Sequence, residues 1–242
     1  MKANYPTLAI ALALVIFAVA RASAPTMNAT DTASVKGTVK LIGTPPAPTR
    51  INMSSDPVCA QQHSTPVYTE DVVTDKNGDL ENVVVFVTNS LGDRTFDVPA
   101  QPVVINQKGC VYQPHVVALQ ANQKVQIINH DACTHNIHPV SVNNREWNQA
   151  QAGGSSMEVT FPREEVGLPL KCNVHPWMRG YLSVFKHPYF AVTGKDGSFD
   201  ISNLPPGTYT IEAWQEKLGT STQTVTIGGN ETKTVQFVFK AR

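Results

Sequence analysis

The residues best suited to chemistry lie in one short run, Cys172-Asn173-Val174-His175-Pro176-Trp177-Met178-Arg179-Gly180, and in Thr134-His135-Asn136-Ile137-His138-Pro139 upstream of it. Cys-x2-His-x2-Met offers a thiolate, an imidazole and a thioether within seven residues, so one tight loop can turn all three toward a point. Soft sulfur combined with imidazole selects copper, and a trigonal His2Cys set with a weak axial Met is the geometry of electron-transfer copper. The run supplies only one histidine. His135 follows KVQIIN, which reads as a strand, and is the candidate for the second, delivered from a neighbouring loop. Singly these residues are ambiguous: Cys-x2-His also occurs in zinc sites, Met178 suits a core, and a lone histidine is usually structural. Together they favour copper, because a structural zinc site closes with four N, S or O donors and a thioether is a poor partner for zinc.

The remaining candidates are weaker. His63, His115, His130 and His187 sit among turns or strand ends, where satisfied or exposed imidazoles are the common case. With Cys172 given to a metal, three of the four cysteines remain, so at least one is unpaired within a monomer. Cys59 with Cys110 is the preferred disulfide, since Cys133 stands two residues before His135 in the metal loop; geometry decides such a pairing. Asp75, Asn77 and Asp79 alternate like a calcium loop, but the glycine is at 78 and Phe86 occupies the position that requires a bidentate carboxylate. A solvated hairpin turn is the better reading.

The elements that must position these residues read as strands almost throughout from Ser34: VKGTVKLI, ENVVVFVTN, KVQIIN, MEVTF, YLSVF, TYTIEAW, TVTIGG and TVQFVF. Between them lie Asn77-Gly78, Asp196-Gly197, Pro205-Pro206-Gly207 and Gly228-Gly229-Asn230, which supply the positive or preset φ that hairpins need. The expected class is all-β, built as sandwiches. TPPAPT at 44–49 cannot donate to a ladder and reads as a loop.

The 242 residues balance 19 Lys plus Arg against 19 Asp plus Glu, with 41% hydrophobic and 16% charged residues. That is enough chain to bury a core, and it carries no basic cluster to hold nucleic acid. Lys2 followed by the apolar, uncharged stretch from Leu8 to Ala20 resembles an export leader, too short to span a bilayer comfortably. Cleavage after Ala22 is expected, an uncleaved anchor being the alternative; removing Lys2 and Arg21 leaves 17 against 19, a mature charge of minus two. The mature protein is then periplasmic or secreted, in an oxidising space where a disulfide persists and with no stable membrane insertion.

Two family resemblances follow from these residues. The flanks resemble the carboxypeptidase regulatory-like, transthyretin-type β-sandwiches: Gly37, Asn77-Gly78 and VVVF at 83–86 match the first half, and Thr193, Gly197, Phe199, Ile201, Leu204 to Gly207, Tyr209 and Ile211 the second. About a hundred residues separate halves that are near neighbours in that family, so a discontinuous sandwich of 34–97 with 188–242 is expected around an inserted domain of 98–187. The insert resembles the amicyanin-type cupredoxins, Greek-key β-sandwiches holding one type 1 copper, over about 103–187. The resemblance implies His135, Cys172, His175 and Met178 as copper ligands. It implies Asn136 as the residue whose backbone amide donates to the cysteine sulfur, and it places His138 outside the ligand set. Thr134 and Val174 stand where that family has prolines. The resemblance also implies that His175 lies beneath an apolar surface patch, making Pro176 and Trp177 the docking residues; the competing expectation packs Trp177 between the domains.

Four protein donors leave no open position for a substrate, and no triad or paired-carboxylate site is apparent, so a carrier rather than an enzyme is expected. The function expected is single-electron relay between redox partners such as a cytochrome c or a periplasmic dehydrogenase. A copper store or chaperone, and a structural extracellular sandwich protein, are the alternatives.

Overall fold

The computed structural model describes residues 32–241 together with Met1; the expected leader and its cleavage point after Ala22 lie outside the described residues apart from Met1. In chain order the elements are β1 (Ala33–Ile42), α1 (Pro57–Gln61), β2 (Val84–Val87), β3 (Val103–Gln107), β4 (Tyr112–Gln113), β5 (Val116–Gln120), β6 (Lys124–Asn129), β7 (His135–Pro139) and β8 (Gln149–Gln151). They continue with β9 (Ser156–Thr160), β10 (Glu165–Lys171), β11 (Arg179–Phe185), β12 (Phe190–Val192), β13 (Ser198–Leu204), β14 (Gly207–Gln215), β15 (Gly219–Ile227) and β16 (Thr232–Lys240). The chain is all-β, with one short helix among the described residues.

Strands from both ends of the chain share sheets. β1 lies between β13 and β16, and β2 lies between β12 and β14, whose other edge carries β15. Alternation along β14, where Tyr209, Ile211 and Ala213 are buried, turns one face of that sheet inward against Val35, Ile201 and Phe237. Gly37 is required here: a Cβ would sit 1.9 Å from the Val235 carbonyl oxygen of the parallel neighbour β16. Leu80 and Val83 in the 73–83 turn region belong to the same core. This is the flanking sandwich.

Between β2 and β12 the chain builds a central sandwich from the sheets β5-β11-β10-β7-β8 and β4-β3-β6-β9. Its core holds Ile105, Leu119, Val125, Ile127, Ile137 and Leu182. KVQIIN is β6, with its valine, first isoleucine and asparagine inward.

The two sandwiches meet on an apolar face made of Val84, Phe86, Val116 and Phe185, with Phe190 and Trp214 against it. The Phe86 and Phe185 rings lie 4.7 Å apart and those of Tyr181 and Trp214 5.5 Å apart. Gly167, at φ +68°, leaves room for the Trp214 indole, which would lie 2.3 Å from any Cβ there. His115 Nε2 and Glu216 Oε1 close the same seam at 2.5 Å. Trp214, rather than Trp177, is therefore the tryptophan between the sandwiches.

Residues 51–67, grouped with the flanking sandwich by the sequence boundaries, pack elsewhere. Ile51, Met53, Cys59 and Val67 form a small cluster with Cys110, Val111, Cys133 and Trp177 of the central sandwich. The physical reason is the Cys59–Cys110 disulfide, which ties α1 to that sandwich. The TPPAPT stretch is irregular backbone, as its prolines require.

Candidate metal centre

His135 opens β7, and Cys172, His175 and Met178 lie on the loop between β10 and β11. The sheet sets their separation, because β10 ends paired with β7 (Lys171 opposite His138) and β11 begins opposite it (Arg179 opposite Lys171). The loop is closed by its own backbone: Met178 N donates to the His175 carbonyl at 2.9 Å, and Cys172 N to the Met178 carbonyl at 3.2 Å. The Tyr112 hydroxyl lies 2.6 Å from the Asn136 carbonyl and 2.9 Å from that of Lys171, clasping the two elements from below.

His135, Cys172 and His175 converge, with their donor atoms within 4.8 Å of one another and all three side chains buried. His135 Nδ1 and His175 Nδ1 are 2.9 Å apart, and Cys172 Sγ is 3.9 Å from His175 Nδ1. Met178 is fully buried in the core cluster that contains Cys172. Asn136 N donates to Cys172 Sγ at 3.5 Å and His175 N does so at 3.4 Å, so two backbone amides face the sulfur. Asn136 does more than its backbone role. Its side-chain oxygen accepts from Asn173 N at 2.7 Å and Val174 N at 3.2 Å, and its amide donates to Asn148 Oδ1, pinning the ligand loop to β7.

The outward nitrogens of the histidines are held as firmly. His135 Nε2 donates to Asp131 Oδ2 at 2.7 Å, and His175 Nε2 to Asp56 Oδ2 at 2.8 Å. Asp131 also accepts from Gly109 N at 2.7 Å and Cys110 N at 2.8 Å. Those two amides form a nest because Gly109 and Cys110 both have positive φ, +67° and +54°. Asp56 caps α1, accepting from Val58 N and Cys59 N.

This backing tests whether the site suits a metal. With each Nε2–H committed to a carboxylate, each imidazole presents its Nδ1 lone pair inward. Facing each other across 2.9 Å, the two Nδ1 atoms need a cation between them, either a shared proton or a metal ion in its place. Ligand bonds of about 2.0–2.3 Å separate donors around one ion by roughly 3–4 Å, the spacing found here. The residues fit a soft cation.

The electrostatic surroundings act in the same sense. Burial would lower the His135 pKa, but Asp131 and Cys172 outweigh it and raise it to about 9. Burial would push the Cys172 thiol up, yet His135 and the amides of Asn136 and His175 hold it below the ordinary thiol value. Asp131 stays below the usual carboxylate range: burial opposes this, but the His135 hydrogen bond and the two amides prevail. A metal bound here would displace the protons that the imidazole and the thiol carry.

The other histidines have separate partners. His138 binds Asn173 Oδ1 and Glu146, His63 the Gly109 carbonyl, and His130 Asn106 Oδ1, while His187 accepts from Tyr189 N. Cys133 is a free thiol beside the Cys59–Cys110 disulfide.

Beside His175, where an apolar surface patch is expected, Asp56 also stands. His175 is 2% exposed, because Asp56 and α1 cover its outer edge. Pro176 is exposed, while Trp177 is half-buried, its ring 5.0 Å from that of His175 and its Nε1 donating to the Cys110 carbonyl. Sequence reasoning missed both carboxylates. Asp131, four residues before His135, was within reach of a search for acids near a ligand histidine; Asp56, 119 residues from His175, was not.

Comparison with known proteins gives one family-model match and several partial structural likenesses. Residues 183–240 match the model of the carboxypeptidase regulatory-like domain. No curated protein matches the sequence. Among solved structures, a purple cupredoxin from Nitrosopumilus maritimus is 24% identical over 34% of this chain and 98% of its own, with a TM-score of 0.30. A Cu(I) amicyanin mutant is 20% identical over 41% of this chain and 97% of its own, with a TM-score of 0.32. A copper-containing nitrite reductase from Thermus scotoductus SA-01 is 19% identical over 41% of this chain, with a TM-score of 0.34, and the match spans a quarter of the reductase.

Proposed function

We propose that the protein is an exported type 1 copper electron carrier, with His135, Cys172, His175 and Met178 as the ligands of one copper ion. The observation that carries this reading is the convergence of two Nδ1 atoms and one sulfur that accepts from two backbone amides, all of them buried. Copper held there supplies a one-electron Cu(I)/Cu(II) couple. The chain's part is to keep the donors still: Asp131 and Asp56 fix the two rings, Asn136 ties the ligand loop to β7, and the core around Met178 excludes water. A site so restrained changes little between the two charge states, which suits outer-sphere transfer, and four protein donors leave no place for a substrate.

The partner is a periplasmic redox protein, a cytochrome c or a dehydrogenase. With His175 covered by Asp56, the route out is the Trp177 indole beside exposed Pro176. Among the described residues, no helix is long and apolar enough to cross a membrane.

Stopped-flow mixing of the copper-loaded, oxidised protein with reduced cytochrome c tests the reading. Reversible one-electron reduction is expected, slowed severalfold by Trp177→Asp with the visible spectrum unchanged. Copper leaving the protein on reduction, with no reversible couple, would make it a store or chaperone instead.

A further inference from the structure

Behind the two imidazoles lies a sulfur cluster that electron transfer does not use. The free thiol of Cys133 stands 3.7 Å from Cys110 Sγ and 4.0 Å from Cys59 Sγ, the two halves of the disulfide. Cys133 Sγ is also 3.7 Å from His135 Nε2, and Cys59 Sγ is 3.6 Å from His175 Nε2. Two overlapping donor sets result, Asp56, Cys59, Cys133 and His175 on one side and Cys110, Asp131, Cys133 and His135 on the other, each within 4.8 Å.

An ion bound to sulfur at about 2.3 Å holds neighbouring sulfurs about 3.7–4.0 Å apart in tetrahedral or trigonal geometry. Cys133 already keeps that spacing to both partners. Only the bond between Cys59 and Cys110 prevents the three sulfurs from surrounding an ion. Cys59 sits on a five-residue helix, an element small enough to let it part from Cys110.

We propose that reduction of the Cys59–Cys110 disulfide turns this cluster into a second copper site, a trithiolate for Cu(I) formed by Cys59, Cys110 and Cys133. A dithiol supplies the two electrons and two protons: its own sulfurs join as a disulfide, and Cys59 and Cys110 become thiols. Cu(I) then displaces the three thiol protons. Three thiolates select Cu(I) by softness, whereas zinc wants a fourth donor. Neither the nearby Nε2 atoms nor the carboxylates of Asp131 and Asp56 serve as that donor, because they are committed to one another in the His135–Asp131 and His175–Asp56 pairs.

The full mature chain carrying Cys172→Ala, which disables the first centre, isolates the second. After anaerobic reduction with a phosphine and its removal, Cu(I) is titrated against bathocuproine disulfonate. One equivalent more is expected in the reduced form than with the disulfide intact, over anything that His135, His175 and Met178 still hold. Adding Cys133→Ser, which leaves the disulfide able to form and the fold checkable by circular dichroism, removes the equivalent. Equal uptake by reduced and oxidised forms, uptake unchanged by Cys133→Ser, or displacement of the Cu(I) by equimolar zinc each overturns the proposal. The visible spectrum of the oxidised wild type reports the first centre separately, so the failure of one site is distinguishable from the failure of the other.

Discussion

The two sides of the His135–His175 pair are built from different kinds of sequence. On the Nδ1 side the sulfur of Cys172 comes from the same seven-residue loop as His175, closed by its own backbone hydrogen bonds. On the Nε2 side the groups come from positions 56, 59, 110, 131 and 133, brought together by a disulfide and by the nest at Gly109 and Cys110. The Nδ1 side is thus local chemistry positioned by one sheet. The backing side is tertiary, and it decides which nitrogen each ring offers.

Removing a donor on the inner side is expected to have the largest effect. Cys172→Ala abolishes the visible colour outright, whereas Met178→Leu keeps it and raises the reduction potential, because only a weak axial donor is lost. Spectra and voltammetry of the two variants check this.

Changes on the outer side should weaken the site without destroying it. Asp131→Asn is expected to lower copper affinity about 10–100-fold, the usual cost of losing a carboxylate behind a ligand histidine. Asp56→Asn should cost less than tenfold, since the Asp56 side chain is 24% exposed and water can take its place, against 1% for Asp131. Competition with a chelator measures both. Equal losses would mean that the two carboxylates are equivalent and that the disulfide-held segment adds nothing beyond a hydrogen bond.

The smallest effect comes from a histidine–carboxylate pair outside the centre. His115 and Glu216 close the seam between the sandwiches, and although burial lowers the His115 pKa, Glu216 outweighs it and the net shift is upward. A raised folded-state pKa means that the pair's stabilisation is complete below the ordinary histidine value of about 6.5 and is lost as pH rises through the folded value. His187 is shifted the other way by burial, so the test is a difference between two proteins. Between acid and alkaline pH the wild type should lose about 2–4 °C more in Tm than His115→Gln, what about 1 kcal/mol amounts to in a chain of this size. Parallel pH profiles would show that the seam is held by Phe86, Phe185 and Trp214 alone.

Much of this was legible in the sequence for physical reasons. Cys-x2-His-x2-Met speaks for itself because softness and spacing are properties of the residues. The flanking turns are legible because Asn77-Gly78 and Asp196-Gly197 carry their backbone preferences with them; Gly78 and Gly197 both have positive φ. The path of residues 51–67 was not legible. Nothing in that stretch alternates as a strand, and its place is set by Cys59 and by Asp56 reaching a histidine 119 residues away. For the same reason Asp56 beside His175 was not foreseen: the segment that carries it has no counterpart in the loop motif.

The most direct measurement is the visible absorption spectrum of the purified protein after one equivalent of Cu(II) is added with the disulfide intact. Two Nδ1 atoms and the Cys172 thiolate around one ion predict an intense sulfur-to-copper charge-transfer band and a blue solution, absent from Cys172→Ala. A colourless or faintly absorbing copper-loaded wild type, with the weak bands of tetragonal copper, would contradict the account.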